Sequence, residues 1–304
     1  MPISSKTQEL VNQAIIDQSL PAKFTDTVNL YYALLSQELY KTHCQNSASR
    51  GLKFFGIQGS QGSGKSTCAS FLKLILETEY DLRVVVSSID DFYLTREERQ
   101  LLAKNVHPLF VTRGVPGTHD IQFLLNVFDA AKKEKNFTLP VFDKAKDDRA
   151  DPGQFQEVSG GVDVVILEGW CVGIPAQNSK ELNTPINELE KKEDPDALWR
   201  TFVNSALSGE YQELFSQLDV LISLQAPSFE CVLGWRQLQE DKMIEKLKRD
   251  GKSIERAQSK DELVRFISHY QRLTEHALKL MPSKADFLLQ LDSNHQFTDL
   301  KALK

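Results

Sequence analysis

Short runs of valine, leucine, isoleucine and phenylalanine recur along the chain, each followed by glycine or polar residues. They cover residues 52–57, 82–89, 162–167, 218–224 and 287–291. Continuous apolar runs of this length are typical of strands that are buried on both faces in a parallel sheet. Helical patterns lie between them, and strands that alternate with helices are joined by right-handed crossovers. The pattern predicts a parallel sheet with helices on both faces.

Amphipathic helical patterns precede and follow the predicted strands. Two come first, over residues 8–18 and 26–44, and two long ones begin near residues 228 and 261. Their apolar positions recur every three or four residues, so each helix has an apolar face for packing. Residues 177–195 instead combine two prolines with a charged run. This composition predicts a mobile surface loop.

The segment after the first predicted strand reads GSQGSGKS and matches the phosphate-binding spacing G-x-x-x-x-G-K-[ST]. Glycines let the backbone N–H groups of such a loop turn towards phosphate oxygens, and the start of the following helix also favours anions. An ordinary glycine-rich turn is the alternative, but a strand and a helix flank the segment. We expect ATP to be bound by Gly59, Ser60, Gln61, Gly62, Ser63, Gly64, Lys65, Ser66 and Thr67.

Two side chains of this loop have separate expected roles. The ammonium group of Lys65 supplies a positive charge to the β and γ phosphates, and the hydroxyl of Ser66 is offered to a magnesium ion. The loop therefore predicts ATP and Mg²⁺ as ligands.

Charge and cysteine usage narrow the class of protein. Lys and Arg number 36 against 42 Asp and Glu, a net charge of −6, so the surface as a whole does not attract nucleic acid or anionic membrane. No run approaches the roughly 20 apolar residues of a membrane span, and the N-terminus does not resemble a signal peptide. The four cysteines lack metal-ligand spacing and fit isolated thiols. We expect a cytoplasmic protein, with the nucleus as an alternative, and an undefined oligomeric state.

Acidic residues follow two of the predicted strands, at the sheet edge where ligands bind in open α/β folds. One of Asp90 and Asp91 would deprotonate an acceptor hydroxyl, and the other would bind metal, cap the next element or face water. We favour Asp90 as the base and expect Asp91 and Tyr93 beside the acceptor. Glu168, after the predicted strand at 162–167, would hold the metal ion opposite Ser66, with a solvent-facing acid as the alternative.

Residues 113–120 read RGVPGTHD and precede an apolar helical pattern. Part of this segment is a helix start, because Thr118 or Asp120 can cap the helix. Capping does not explain Arg113 and His119. We expect these two to bind a small anionic or polyhydroxyl acceptor, with a purely structural turn as the alternative.

Two further positions are weaker candidates. Asp143, in a charged loop with Lys144 and Arg149, is predicted to contact the acceptor, and a solvated charge run is the alternative. Arg236, on the long helix after residue 228, is a candidate to close onto the phosphates as a catalytic cation, a role that the resemblance described below favours. A lone helical arginine at the surface is its alternative.

Five motifs together resemble the D-glycerate 3-kinase family of plants and fungi, most closely its fungal members. The family lies within the P-loop kinases of small metabolites, with uridine kinase, phosphoribulokinase and pantothenate kinase. The motifs are GSQGSGKS at 59–66, SIDDFYL at 88–94, RGVPGTHD at 113–120, VILEGWCVG at 165–173 and WRQLQE at 235–240. The resemblance spans residues 52 to 291.

The resemblance implies a three-layer α/β P-loop NTPase fold of the kinase type, in one domain over residues 1–304. Residues 1–50 would form a helical extension and 52–227 the nucleotide and acceptor core, with 177–195 as an insertion. Residues 228–304 would form a helical lid and the last strand.

The resemblance also implies the reaction: transfer of the γ-phosphate of ATP to a hydroxyl of a small metabolite, with D-glycerate as the first choice. Asp90 would be the base, Glu168 the magnesium-site acid, and Arg236 part of the lid. The loop at Asp143 lacks the glycine-rich spacing expected of glycerate kinases, which leaves the acceptor open. A uridine-type nucleoside kinase and a non-catalytic ATP-binding regulator are the alternatives.

Overall fold

The computed structural model describes residues 2–44, 51–249 and 260–304, which fold around a six-stranded sheet. The strands are β1 Lys53–Gly59, β2 Val84–Ser88, β3 Phe137–Leu139, β4 Phe142–Asp143, β5 Asp148–Arg149, β6 Gln156–Val158, β7 Val164–Gly169, β8 Val220–Gln225, β9 Phe287–Leu291 and β10 Phe297–Ala302. The helices are α1 Ser5–Asp17, α2 Phe24–Thr27, α3 Ala33–Cys44, α4 Lys65–Tyr80, α5 Arg96–Asn105, α6 Ile121–Lys132, α7 Glu188–Glu193, α8 Leu198–Ser208, α9 Glu210–Phe215, α10 Phe229–Arg249 and α11 Lys260–Lys284.

The main sheet runs in the order β10-β9-β8-β1-β7-β2, with β1 near its centre. Its strands are parallel except β10, which pairs antiparallel with β9. The carboxyl ends of β1, β2 and β7 therefore open onto the same edge. The segments that follow these three strands meet there, as expected for an open α/β sheet.

Both faces of the sheet are covered, because successive side chains of a buried strand point to opposite sides. Phe54 and Val165 face a core built with α6, α8, α9 and α11. Phe55 and Ile166 face a second core built with α1, α3, α4 and α10. The three layers of the α/β prediction are thus present, and the N-terminal helices belong to the second core.

The five predicted strands are confirmed, and the last one has the predicted bounds. The strands β3 to β6 were not predicted because two or three residues are too few to form a pattern, and the edge strand β10 was not predicted because most of its residues are exposed. Asp120 caps α6, as expected, by accepting from Phe123 N at 3.0 Å.

The prediction of a mobile loop over residues 177–195 was wrong. This segment contains a 3-10 turn at Ser179–Asn183 and the helix α7, and Glu190 within α7 is fully buried. Glu190 pairs with Arg272 of α11 at 2.6 Å, so the charged run is only partly solvated. A buried carboxylate with a guanidinium partner fixes the segment against α11.

Parts of three predictions lie outside the described residues. These parts are residues 45–50 of the helical extension, residues 250–259 of the C-terminal lid, and the last two side chains of the WRQLQE motif. Over residues 2–44, 51–249 and 260–304, the helices are too short or too polar to cross a bilayer.

Candidate active site

The phosphate-binding loop joins β1 to α4 as the sequence predicts. Gly62 and Gly64 have φ angles of 77° and 88°, in the left-handed region that side chains with a Cβ rarely adopt. Gly64 is the N-cap of α4, which begins at Lys65. The loop therefore turns its backbone amides and the start of a 16-residue helix towards one point, the geometry that binds phosphate.

A cleft of about 660 Å³ opens beside this loop at the carboxyl edge of the sheet. Backbone and side chains from seven separate parts of the chain line it, and most of the predicted site residues are among them. The lining consists of Gln61, Gly62, Gly64, Lys65, Ser66, Thr67, Ser88, Asp90, Tyr93, Arg113, Lys144, Glu168, Arg236, Phe266 and Tyr270. Gly59, Ser60 and Ser63 lie in the loop behind this surface, where the two serine side chains are buried.

Ser66 and Glu168 face each other across the cleft floor. The Ser66 hydroxyl donates to Glu168 Oε1 at 2.7 Å, and Glu168 is 5% exposed. Its second oxygen, Oε2, is buried and has no hydrogen-bond partner among the residues that the structure describes. A carboxylate and a hydroxyl beside a phosphate loop fit Mg²⁺, which takes one or two protein oxygens and completes its shell with phosphate and water. An unpaired buried carboxylate oxygen is otherwise costly.

The two adjacent aspartates after β2 occupy different environments. Asp90 lines the cleft, and its Oδ1 accepts from the Tyr93 hydroxyl at 2.9 Å, while Oδ2 lies 3.9 Å from Lys144 Nζ. Asp91 points towards β4, where it accepts from Phe142 N at 3.4 Å. Burial raises the pKa of Asp91 to about 6, and the neighbouring Asp90 adds to this rise. Asp91 is absent from the described cleft lining, so the expectation that it contacts the acceptor finds no support, and it holds the start of β4, whereas Thr95 caps the next helix, α5.

The RGVPGTHD segment divides between the cleft and the core. Arg113 lines the cleft, with its guanidinium 5.2 Å from the centre of the Phe142 ring. His119 is 3% exposed and stacks on the far side of Tyr93, with the ring centres 4.5 Å apart. Its Nδ1 lies 2.6 Å from the Tyr211 hydroxyl. The structure thus brings Arg113 to the cleft and leaves His119 one layer behind it.

Burial explains the ionisation state of His119. The ring is enclosed, and this lowers the pKa of His119 to about 4, although Asp90 acts in the opposite direction. The Tyr211 hydroxyl accepts from Gly117 N at 3.0 Å, so its own proton is available to His119 Nδ1. His119 is therefore a neutral imidazole, and it stacks against the Tyr93 ring.

The hairpin of β4 and β5 places Lys144, rather than Asp143, at the cleft. Asp143 accepts from the backbone N–H groups of Ala145 and Lys146 at 2.9 and 3.2 Å, which shapes the turn. Lys144 is in that turn and lines the cleft. Through these hydrogen bonds Asp143 stabilises the turn that carries Lys144.

Two aromatic residues of α11 complete the cleft and were missed from the sequence. Tyr270 donates its hydroxyl to the carbonyl of Arg113 at 3.1 Å, and Phe266 lies beside it, with ring centres 5.1 Å apart. Trp170 packs edge-on against Tyr270 and donates its indole N–H to Gly114 O at 2.9 Å. No short motif marks the α11 positions, because they belong to the apolar face of a long amphipathic helix. Arg236, from α10, lines the same cleft.

Comparisons with known proteins identify relatives that are kinases. No protein-family model matches the sequence. The uncharacterized kinase mug58 of Schizosaccharomyces pombe is 37% identical over 225 residues, which are 71% of this chain and 77% of mug58. The chloroplastic D-glycerate 3-kinase of Arabidopsis thaliana is 30% identical over 230 residues, 71% of this chain and 45% of the plant protein.

A solved structure has the same fold. The D-glycerate 3-kinase of Cryptococcus neoformans var. grubii superposes with a TM-score of 0.72 at 24% identity, covering 89% of this chain and 98% of its own. The predicted P-loop kinase fold with a central parallel sheet is confirmed.

Proposed function

Because the chain belongs to the kinase family that includes mug58 and plant D-glycerate 3-kinase, we propose that it transfers the γ-phosphate of ATP to a hydroxyl of a small metabolite. D-glycerate is the first acceptor to test. The observation that carries this proposal is the convergence of Lys65, Asp90 and Glu168 on one cleft. Binding of ATP alone needs neither an acceptor base nor an acid beside the metal ion, so this set of residues favours chemistry over regulation.

The phosphate end of the cleft holds ATP. The backbone amides of the loop and the Lys65 ammonium group bind the phosphate oxygens, and Arg236 adds positive charge from α10. Ser66 and Glu168 would hold a magnesium ion, which when bound neutralises charge on the phosphate oxygens. These residues fix the γ-phosphate in position for attack from the other end of the cleft.

Asp90 acts as the base. Tyr93 holds its Oδ1, so that Oδ2 is the oxygen directed to an acceptor hydroxyl. The hydroxyl proton moves to Asp90 as the acceptor oxygen bonds to the γ-phosphorus. The bond from that phosphorus to the bridging oxygen breaks, and ADP leaves with the electron pair.

Arg113 and Lys144 give the acceptor end a positive charge. Guanidinium and ammonium groups bind carboxylate or phosphate, so the acceptor is a hydroxyl compound that also carries an anionic group. Behind this layer, His119 supports Tyr93 and Asp143 shapes the turn that bears Lys144. We assign both of them an indirect role at the acceptor end.

The test is an ADP-release assay with magnesium ATP against D-glycerate, other small hydroxy acids, sugars, pantothenate and uridine. We expect stimulation by D-glycerate and formation of a phosphate ester visible by ³¹P NMR. Asp90→Asn should bind ATP normally and lose about 10²- to 10⁴-fold in turnover, the usual contribution of a general base.

Three outcomes would contradict the proposal. Preference for uridine would make the protein a nucleoside kinase, and silence across the panel with ATP still bound would favour a regulator. An unchanged rate in Asp90→Asn would remove the base from the mechanism, and Asp91→Asn is the matched variant that tests whether its neighbour takes the role.

A further inference from the structure

Arg99 is a buried charge that the proposed chemistry does not use. It lies on α5, is 1% exposed and makes hydrogen bonds through each guanidinium nitrogen. Nε donates to Leu94 O at 3.2 Å, Nη1 to Val111 O at 2.9 Å and Nη2 to Asp147 O at 2.5 Å. A buried guanidinium is retained only where such partners compensate for its lost hydration. Arg99 therefore anchors the β4–β5 turn at Asp147.

One carboxylate connects this anchor to the cleft. Asp147 Oδ2 lies 3.1 Å from Arg99 Nη2, and its Oδ1 accepts from Arg113 Nη1. Asp147 has a φ angle of 56°, a left-handed conformation that aspartate and asparagine tolerate better than most other residues. The carboxylate is thus held on one side by a buried arginine and presents its other oxygen to Arg113.

Arg113 is fixed from three directions as a result. Asp147 engages Nη1, the Phe142 ring lies under the guanidinium, and Tyr270 donates to the backbone carbonyl. A guanidinium carries five N–H donors in a rigid fork, so engaging Nη1 with Asp147 leaves other donors for a ligand. An arginine that is already ordered loses less side-chain entropy when an anion binds.

We propose that Asp147 is a positioning residue for the acceptor: its carboxylate transmits the fixed position of Arg99 to Arg113. This inference rests on the proposed function, because it assigns Arg113 to the anionic group of the acceptor. Asp147 acts through Arg113 and does not itself touch the reacting atoms. Its role belongs to acceptor binding and not to the transfer of phosphate.

The test compares Asp147→Asn with Asp151→Asn, using D-glycerate as the acceptor. Both substitutions remove one negative charge, and Asp151 is an exposed aspartate just beyond β5 whose side chain caps nothing. In Asp147→Asn we expect the KM for D-glycerate to rise about tenfold, typical of losing a residue that orients a ligand-binding group. The kcat and the KM for ATP should change less than about twofold, and Asp151→Asn should match the wild type.

A double variant tests whether Asp147 acts through Arg113. Arg113→Lys keeps the charge but loses the fork that Asp147 orients. If the proposal holds, adding Asp147→Asn to Arg113→Lys raises the KM for D-glycerate no further. An additive effect, an unchanged KM in Asp147→Asn, or a loss confined to kcat would overturn it.

A measurement without an acceptor separates this inference from the proposed function. The Nε–Hε NMR signal of Arg113, assigned by its absence in Arg113→Lys, should be sharp in the wild type and in Asp151→Asn. It should broaden in Asp147→Asn. If the wild type does not phosphorylate D-glycerate, the acceptor assignment fails, but a broadened signal still supports the positioning role and an unchanged signal overturns it.

Asp147→Glu covers the case in which Asp147→Asn does not fold because Arg99 loses its charged partner. Glutamate keeps the negative charge for Arg99 and displaces the carboxylate by one methylene. The KM for D-glycerate and the Arg113 signal should then change in the same directions. A wild-type KM and a sharp signal in Asp147→Glu would count against the proposal.

Discussion

His119 and Asp91 lie just behind the cleft, and burial moves the pKa values of these two side chains in opposite directions. It lowers the pKa of the His119 imidazole to about 4 and raises the pKa of the Asp91 carboxyl to about 6. Both shifts favour the uncharged form of a group removed from water. At pH 7 His119 is therefore neutral and adds no positive charge to that of Arg113 and Lys144 in the cleft lining.

The lowered pKa of His119 makes stability depend on pH. In the unfolded chain the imidazole titrates near pH 6.5, and in the folded chain near pH 4. Between these values the unfolded state binds more protons, so the stabilisation present above pH 6.5 is lost as pH falls towards 4. The loss from this one group is about 3 kcal/mol.

His119→Asn tests this at the level of one residue, since its amide can still meet the Tyr211 hydroxyl. Urea denaturation at several pH values between 7 and 4 should show a free energy of unfolding that falls less steeply in the variant. The titration of Asp91 is common to both proteins and cancels in the difference. Parallel pH profiles would show that His119 does not titrate as described.

At the scale of elements, the sequence predicts best what is buried on both faces. Strands β1, β2, β7, β8 and β9 are continuous apolar runs, and each lies where it was expected. The edge strand β10 could not be predicted, because most of its side chains are exposed and its pairing depends on β9 being beside it. Similarly, the 177–195 segment reads as a loop because the partner of Glu190 lies on α11, 82 residues further along the chain.

The site residues also fall into those that the sequence predicts and those that it does not. Lys65, Asp90 and Glu168 could be predicted because they follow strands within short motifs, and the cleft contains all three. Tyr270 and Asp147 could not, because nothing in their neighbouring residues marks them. Their contacts with the RGVPGTHD segment arise only once α11 and the β4–β5 turn have packed against it.

The ion pair between α7 and α11 gives a prediction at this scale. Glu190 is fully buried and binds Arg272 through both oxygens, at 2.7 and 2.6 Å. Glu190→Ala would leave the buried guanidinium without its countercharge, which destabilises a protein by about 3–5 kcal/mol. Chemical denaturation should detect this loss.

Glu188→Ala is the matched control for that experiment. Glu188 is on the same helix, but its side chain is 67% exposed and pairs with the exposed Lys191 and Lys192. Exposed pairs contribute about 0–1 kcal/mol, so this variant should unfold close to the wild type. Equal stability of the two variants would mean that the 177–195 segment does not contribute to global folding.

At the scale of the whole molecule, the cleft differs in charge from the rest of the surface. The protein has a net charge of −6, yet cations outnumber carboxylates in the cleft lining. The cations are Lys65, Arg113, Lys144 and Arg236, and the acids are Asp90 and Glu168. The cleft thus attracts anions such as ATP on a molecule whose net charge is negative.

Binding of ATP to this cleft should stabilise the entire fold, because the loop that holds the phosphates joins a central strand to a core helix. At a concentration of about 100 times its Kd, a ligand adds about 2.7 kcal/mol to the free energy of unfolding. In a thermal-shift experiment magnesium ATP should raise the Tm by about 5 °C.

Lys65→Ala should lose most of this thermal shift and all turnover, since it removes the charge that meets the phosphates. Lys73→Ala is the control, because Lys73 lies on the exposed face of the same helix beside Glu77. Near-normal phosphorylation by Lys65→Ala would contradict the assignment of the loop.

The strand order affects how the chain can fold while it is synthesised on the ribosome. Lys53 of the central strand β1 pairs with Val164 on one side, and Phe55 pairs with Val220 on the other. Translation adds roughly 5–20 residues per second, so β1 is synthesised on the order of ten seconds before β7, the first of its two partner strands. During that interval the apolar strand β1 has no strand to pair with. We therefore expect chaperones to bind the nascent chain well before the nucleotide site forms.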